Sequence, residues 1–297
     1  MTATLSSEVA AAAERIRPYV RRTPVLRTEF DGRPLVLKLE HLQRTGSFKL
    51  RGALNALLSG PRPEQVVTAS GGNHGIGVAT AASILGLRAT VYAPESIPAS
   101  KAVRIEETGA RLVRVGNTYA EAAAAAHEVT DARYVEAYDD PVVIAGQGTV
   151  AAEIVEDVPE VDTIAVAVGG GGLAAGLALG SAGRLTVAVE PEHCDSLNRA
   201  LEAGEPVAAE TTSIASSALG ATRVGRTPFD ILTSHPLHAL RVPDDEILAA
   251  RDLLWHEFRL AVEPAAATAF AAWLANRLPG DLPAIVLCGA NSEWQPL

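Results

Sequence analysis

The chain contains the stretch Thr45-Gly46-Ser47-Phe48-Lys49-Leu50-Arg51-Gly52-Ala53, and Lys49 is one of only three lysines in 297 residues, beside Lys38 and Lys101. A lysine amine can form a Schiff base with a carbonyl compound, whereas an arginine guanidinium cannot. Lys49 follows a Thr-Gly-Ser turn and precedes a predicted helix over residues 50–58. We therefore expect it at a loop-to-helix junction, where a ligand can reach the amine.

Short apolar runs alternate along the chain with Ala-rich segments that have helical spacing. Strands are predicted at 35–40, 65–70, 88–93, 111–115, 163–168, 185–190 and 284–288. Helices are predicted between them at 75–86, 119–130 and 149–157. Strand and helix in alternation indicate crossover units and a mainly parallel sheet, so we expect an α/β protein.

Three predicted strands end in turns rich in glycine or polar residues. These turns are Ser70-Gly71-Gly72-Asn73-His74, Gly169-Gly170-Gly171-Gly172 and Gly289-Ala290-Asn291. Ligands of open α/β sheets bind beyond the carboxyl ends of strands. Three unusual turns at three such ends therefore predict one shared site.

The four glycines at 169–172 lie after a strand and before an apolar helix. Successive glycines let backbone N–H groups converge, and a helix N-terminus favours a phosphate. A simple flexible turn would not require four glycines, and no Gly-Lys-Ser/Thr follows to make a Walker loop. A dinucleotide loop remains open, because Gly170-x-Gly172-x-x-Ala175 precedes a strand that ends at Glu190.

The other candidates are weaker when each is taken alone. The amides of the 70–74 turn could hold a carboxylate and Asn73 could bond a ring oxygen, but Ser70 or Asn73 could equally be a helix N-cap. His74 alone is more often structural, Cys288 could be a small buried hydrophobe, and Lys49 could be a solvated lysine. Together, however, a reactive lysine, a phosphate loop and an amide-rich anion loop are what pyridoxal 5′-phosphate requires.

The same motifs resemble the fold-type II pyridoxal-phosphate enzymes, the tryptophan synthase β-like fold, and within them the serine/threonine dehydratase (threonine ammonia-lyase) group. The resemblance spans residues 23–291, and the motifs keep the order of that family. They are Lys38-Leu39-Glu40, the stretch around Lys49, Ser70-Gly71-Gly72-Asn73-His74, Ala145-Gly146-Gln147-Gly148-Thr149 and the tetraglycine loop.

The resemblance implies a role for each candidate. Lys49 would hold the cofactor aldehyde as a Schiff base and then remove the Cα proton, while Phe48 would pack against the cofactor ring. Asn73 would bond the ring hydroxyl, and a neutral Cys288 beside the pyridine nitrogen would leave that nitrogen unprotonated. The substrate carboxylate would be held by Ser70, Gly71, Gly72, Asn73 and His74, and the phosphate by Gly169, Gly170, Gly171 and Gly172.

Three departures from the family refine this expectation. Gly71 stands where serine racemases carry a second serine, so we expect elimination rather than racemisation. Glu190 resembles the start of a cation site, but Ser196 replaces an acidic ligand, so we expect no metal, with Glu190 as the one candidate ligand. Ser216 and Ser217 replace an Asp-Gly pair, which leaves the substrate side chain open.

The expected activity is β-elimination from L-threonine, L-serine or both, giving a 2-oxo acid and ammonia. Racemisation, β-replacement and elimination from a bulkier 3-hydroxy amino acid remain open on the same scaffold. A dinucleotide-dependent oxidoreductase and a non-catalytic binding protein remain open outside it. We expect a large lobe of residues 1–49 and 139–297, a small lobe of residues 50–138, the cofactor in the cleft, and a homodimer.

Composition limits the partners and the compartment. A net charge of −10 and a pI near 5.2 argue against nucleic acid or an acidic membrane surface as the main partner. No apolar run reaches transmembrane length, and the N-terminal segment has no signal-peptide pattern. Cys194 and Cys288 are too few for a disulfide framework. We expect a cytoplasmic protein.

Overall fold

A computed structural model describes residues 2–294 of the chain. In this part, ten strands form two sheets. The strands are β1 (Val25–Phe30), β2 (Arg33–Lys38), β3 (Gln65–Ala69), β4 (Arg88–Ala93), β5 (Arg111–Arg114), β6 (Arg133–Tyr134), β7 (Thr163–Ala167), β8 (Leu185–Pro191), β9 (Leu237–Val242) and β10 (Pro283–Val286).

The same residues form twelve α-helices and a short 3-10 helix at Glu40–Leu42. The α-helices are α1 (Thr2–Ile16), α2 (Lys49–Leu58), α3 (Asn73–Ile84), α4 (Ala99–Glu106), α5 (Tyr119–His127), α6 (Pro141–Asp157), α7 (Gly172–Gly180), α8 (Ser196–Ala203), α9 (Ser216–Leu219), α10 (Arg226–Thr233), α11 (Asp244–Phe258) and α12 (Pro264–Leu274). None of the helices in residues 2–294 has the length and apolar character needed to cross a membrane.

The larger sheet has the strand order β1-β2-β10-β7-β8-β9, and the smaller has the order β5-β4-β3-β6. Every pairing in the smaller sheet is parallel, and in the larger sheet only the β1–β2 hairpin is antiparallel. Strands β7 and β10 are buried along their whole length, as expected for parallel strands covered on both faces. The predicted α/β class with mainly parallel sheets is confirmed.

All seven predicted strands are present, and each of their ends lies within two residues of the prediction. Two predicted helices begin two or more residues earlier than expected. Helix α3 begins at Asn73 rather than at 75, and α6 begins at Pro141 rather than at 149. The Asp140 side chain accepts hydrogen bonds from the backbone N–H groups of Val142 and Val143, and a proline at the first helical position suits such a start.

Strands β1, β6 and β9 are not among the predicted strands. The β1–β2 hairpin did carry a signal, because Asp31 and Gly32 form its turn with φ angles of 51° and 69°. Asp-Gly is a preferred sequence for the two-residue turns in which both φ angles are positive. Strand β6 is only two residues long, so a period-2 pattern has no room to develop in it.

Candidate active site

Lys49 is the first residue of α2, and its side chain is only partly exposed. The Lys49 Nζ atom donates a hydrogen bond to the carbonyl oxygen of Ala137 over 2.6 Å. Burial lowers the pKa of Lys49 to about 8, because the charged ammonium loses its water. Lys49 is thus partly shielded from water rather than freely solvated. A neutral amine is populated near physiological pH, which is the form that attacks an aldehyde.

A buried network of charges holds the helix that begins at Lys49. Arg51 is fully buried and forms ion pairs with Glu40 and Glu153, each with an N–O distance of 2.8 Å. Lys38, also fully buried, pairs with the other oxygen of Glu153 over 2.6 Å. Two cations thus balance two carboxylates, and the Lys38-Leu39-Glu40 motif serves to anchor α2.

The Ala145–Thr149 motif also supports α2. The Gln147 side chain accepts a hydrogen bond from the backbone N–H of Gly52, and Thr149 Oγ1 accepts one from Arg51 over 3.1 Å. A Cβ atom on Gly146 would lie 2.7 Å from Gly52 Cα. The backbones of α2 and α6 therefore touch, which fixes the position of Lys49 against the larger sheet.

The tetraglycine loop connects β7 to the N-terminus of α7. Gly171 has a left-handed φ of 90°, which side chains rarely adopt. A Cβ on Gly172 would lie 2.9 Å from Tyr138 Cα, and a Cβ on Gly170 would overlap the ring of Tyr138. The loop is thus a tight backbone cradle at a helix N-terminus, which fits a phosphate group.

The 70–74 turn connects β3 to α3. Ser70 Oγ accepts a hydrogen bond from the backbone N–H of Gly72 over 3.1 Å, and Gly71 and Gly72 are partly exposed. Gly72 occupies the N-cap position of α3, and the helix has no side-chain cap. The alternative in which Ser70 or Asn73 caps this helix is wrong, because the Asn73 side chain bonds to other segments.

The His74 side chain is buried and its Nε2 atom lies 3.0 Å from the carbonyl oxygen of Val135, to which only a protonated nitrogen can donate. Burial, together with the charge of nearby Lys49, lowers the pKa of His74 to about 3. The imidazole is therefore neutral and structural. Any contact of His74 with a substrate carboxylate would come from its backbone in the turn.

The third turn, at residues 289–291, lies beside the 70–74 turn. Asn291 Nδ2 donates to Asn73 Oδ1 over 2.7 Å, and Asn73 Nδ2 donates to Glu263 Oε1 over 2.7 Å. Glu263 is not among the predicted site residues. Its only signal was the Glu-Pro pair that starts α12, which indicates a helix N-terminus rather than a site.

Cys288 is buried just beyond β10, and its carbonyl oxygen accepts a hydrogen bond from the backbone N–H of Phe48 over 3.1 Å. Burial, reinforced by the negative charge of Glu263, raises the pKa of the Cys288 thiol. The thiol is therefore neutral. The partly buried Phe48 ring has its centroid 5.3 Å from Lys49 Nζ.

Both carboxylate oxygens of Glu190 accept hydrogen bonds from the protein. One carboxylate oxygen accepts the backbone N–H of Leu197 over 2.8 Å, and the other accepts the backbone and side-chain N–H groups of Asn198 over 2.8 Å each. Ser196 Oγ donates to the Gly169 carbonyl oxygen over 2.9 Å, which ties α8 to the tetraglycine loop. Residues 2–294 place no group of three or more His, Cys, Asp or Glu side chains around a metal position.

The family model described as "Pyridoxal-phosphate dependent enzyme" matches residues 16–289 of this chain. The chain belongs to that family. It is 38% identical to an L-threonine ammonia-lyase of Geobacter sulfurreducens over 93% of this chain and 72% of that protein. It is 33% identical to an L-threo-3-hydroxyaspartate ammonia-lyase of Pseudomonas sp over 96% of this chain and 95% of that protein.

Among solved structures, a threonine deaminase from T.th. superposes with a TM-score of 0.91 at 37% identity, covering 98% of this chain and 99% of that one. The predicted fold-type II architecture and the predicted cofactor are confirmed. The dinucleotide oxidoreductase alternative is wrong. The residues also fit the cofactor chemically. They supply the Lys49 amine of lowered pKa, the backbone cradle at Gly169–Gly172 and the neutral Cys288 thiol.

Proposed function

We propose that this member of the family is an ammonia-lyase that acts on L-threonine, L-serine or both and releases a 2-oxo acid and ammonia. The observation that carries the proposal is the Lys49 amine, held at the start of α2 with its pKa lowered to about 8. Such an amine can both capture an aldehyde and later accept a proton. The names of the relatives at 33–38% identity support β-elimination as the reaction.

Each group in the site then has a task. When bound, pyridoxal phosphate supplies an electron sink for the negative charge that develops at the substrate Cα. Lys49 removes the Cα proton, and the Gly169–Gly172 loop binds the phosphate through its backbone amides. Ser70 and the backbone of the 71–74 turn bind the substrate carboxylate, which orients the Cα–H bond. Phe48 would pack against the cofactor ring, Asn73 would bond its hydroxyl, and the neutral Cys288 thiol would lie by its nitrogen.

Racemisation would require an acid on the face of the substrate opposite Lys49. Gly71 has no side chain to supply it, and the space for one is tight. A Cβ atom on Gly71 would lie 3.1 Å from Ile97 Cγ1. Ile97 itself is buried in the core beside α3. Both observations favour elimination over racemisation.

The route to the site is part of the same proposal. A cavity of about 600 Å³ borders Tyr138, whose backbone and ring pack on the tetraglycine loop. Its acidic lining residues are Glu136, Asp139 and Glu205, and its basic ones are Arg223 and Arg226. The Asp139 carboxylate accepts hydrogen bonds from the backbone N–H groups of Arg226 and Thr227, which begin α10. The other two carboxylates in the lining are Glu136 and Glu205. Arg223 and Arg226 line the same cavity, so its charges do not distinguish a neutral hydroxyamino acid from hydroxyaspartate.

The remaining features belong to the proposal as well. We place the small lobe at residues 50–138 and the large lobe at residues 1–49 and 139–297, with the cofactor in the cleft. The strands of the smaller sheet, which span residues 65–134, support this division.

We propose a cytoplasmic homodimer. Its two cysteines, both buried and unbridged, suit a reducing compartment.

The test is the visible spectrum of the purified holoenzyme before and after L-threonine or L-serine is added, with 2-oxo acid assayed in the same tube. We expect a cofactor band that shifts on addition while 2-oxo acid accumulates. Lys49→Arg keeps the charge but should abolish the band and turnover, whereas Lys101→Arg, which removes another primary amine, should preserve both. A band without 2-oxo acid would overturn the proposed reaction, and active Lys49→Arg would overturn the role of Lys49.

A further inference from the structure

A directional chain of hydrogen bonds runs through the candidate site and ends at Glu263. Arg104 of α4 donates to Asn291 Oδ1. Asn291 Nδ2 donates to Asn73 Oδ1 over 2.7 Å, and Asn73 Nδ2 donates to Glu263 Oε1 over 2.7 Å. The chain begins at a guanidinium, which can only donate, and ends at a carboxylate, which accepts when ionised. All donors therefore point the same way.

This arrangement decides how the Asn73 carboxamide is oriented. If the carboxamide were reversed, its oxygen would face the Glu263 carboxylate and its NH₂ group would face the NH₂ group of Asn291. Both contacts would be unfavourable, so the partners define the positions of oxygen and nitrogen. Asn73 uses one Nδ2 hydrogen toward Glu263 and one Oδ1 lone pair toward Asn291. The second hydrogen on Nδ2 is left for another acceptor.

Two glycines make room for the side chains of this hydrogen-bond chain, because neither has a Cβ atom. A Cβ on Gly289 would lie 2.9 Å from Glu263 Cδ and 3.3 Å from Asn73 Nδ2. Gly46 has a φ of 73°, and a Cβ there would lie 3.2 Å from Asn291 Cγ. Gly46 belongs to the stretch around Lys49, and Gly289 follows Cys288. The backbone on both sides of the site is thus shaped around these three side chains.

We propose that Glu263 and Asn291 are positioning residues, which hold the Asn73 amide with one N–H free for the ring hydroxyl of the cofactor. The inference rests on the cofactor role of Asn73 in the proposed function. Glu263 is 4% exposed and Asn291 is 8% exposed, so water competes little for these hydrogen bonds. Burial raises the pKa of Glu263, while the Asn73 hydrogen bond and the charges of Lys101 and Arg104 oppose that rise.

The experiment compares cofactor affinity among variants that keep or remove the orienting contacts. Glu263→Gln still offers an acceptor oxygen to Asn73, whereas Glu263→Leu offers none. Asn291→Asp replaces the donor to Asn73 by an acceptor at almost the same size. We expect cofactor binding to weaken about tenfold or more in Glu263→Leu, which loses a hydrogen bond to a charged group, and by a similar factor in Asn291→Asp, which sets an acceptor oxygen against Asn73 Oδ1. Glu263→Gln should stay within about threefold of wild type, as should Glu160→Gln on the surface.

A double-mutant cycle separates positioning from general structural damage. In an Asn73→Ala background, Glu263→Leu should weaken cofactor binding by no more than about twofold further, because the residue through which it acts is gone. The pH titration of the visible cofactor band is a second measurement, since a lost hydrogen bond to the ring hydroxyl should move its midpoint in Glu263→Leu but not in Glu263→Gln.

Wild-type affinity in both Glu263→Leu and Asn291→Asp would overturn the inference, and so would a full effect of Glu263→Leu in the Asn73→Ala background. A failure of the proposed function would give a different set of results. An enzyme that binds the cofactor with the expected ranking of variants but makes no 2-oxo acid would support the positioning role and contradict the lyase assignment.

Discussion

The Lys49 amine and the Ala137 carbonyl oxygen are joined by a hydrogen bond of 2.6 Å. The contact links the start of α2 to the segment that follows β6, next to the tyrosine that packs on the tetraglycine loop. The carbonyl oxygen can accept from either the ammonium or the neutral amine. It therefore holds the side chain in place without fixing its protonation state, and burial sets the pKa.

The rate at which the apoprotein captures pyridoxal phosphate should follow the ionisation of Lys49. The neutral amine is the nucleophile, and burial lowers the pKa of Lys49 to about 8. The capture rate should therefore rise with pH up to about 8 and level off above it. Stopped-flow absorbance across the pH range measures this. A midpoint near the ordinary lysine value of about 10.4 would contradict the burial argument.

Gly71→Ser alone should not turn the protein into a racemase. A side chain at position 71 meets Ile97, whose Cγ1 atom would lie 3.1 Å from the new Cβ. Gly71→Ser combined with Ile97→Ala should raise D-serine formation from L-serine at least about tenfold over the single variants, because the hydroxyl gains room to act as an acid. Chiral chromatography of the product is the measurement, with Ile97→Ala as control. Rapid D-serine formation by the wild type would refute the elimination assignment.

Arg51→Met should destabilise the protein strongly. It leaves the fully buried Glu40 carboxylate without its ion-pair partner and removes one of the two cations that pair with Glu153, which keeps Lys38. The expected loss in the free energy of unfolding is about 3–5 kcal/mol, measured by urea denaturation of the apoprotein. Arg27→Met, which breaks an exposed ion pair, should leave the urea midpoint almost unchanged. Similar midpoints for the two variants would show that the buried network does not anchor α2.

Removing divalent cations should leave the melting temperature and the activity unchanged. Both carboxylate oxygens of Glu190 already accept hydrogen bonds from the start of α8. Ser196→Asp would place a second carboxylate beside Glu190, since Ser196 Oγ lies 3.5 Å from Glu190 Oε1. That variant should become less stable, and Mg²⁺ or Ca²⁺ should restore it. A wild-type melting temperature that falls with excess chelator would disprove this.

The sequence was sufficient for the parallel core and for the positions of the glycine-containing turns that follow its strands. The strands β7 and β10 are almost entirely apolar, and a glycine follows each of them within three residues, so local patterning identifies both. The sequence was insufficient for β9 and for Glu263, because neither is defined by its neighbours along the chain. Strand β9 is a strand because it pairs with β8, and Glu263 matters because Asn73 reaches it across 190 residues.

The order of residues along the chain therefore predicted the class of fold and singled out Lys49 and the Gly169–Gly172 loop, since apolar periodicity and a glycine run are local patterns of about ten residues. Tertiary structure alone decided the chemical state of those groups. The lowered pKa of Lys49, the neutrality of His74 and Cys288, and the orientation of the Asn73 amide all come from burial and from partners far away in sequence. Desolvation and hydrogen-bond direction are properties of the folded surroundings, and no local pattern encodes them.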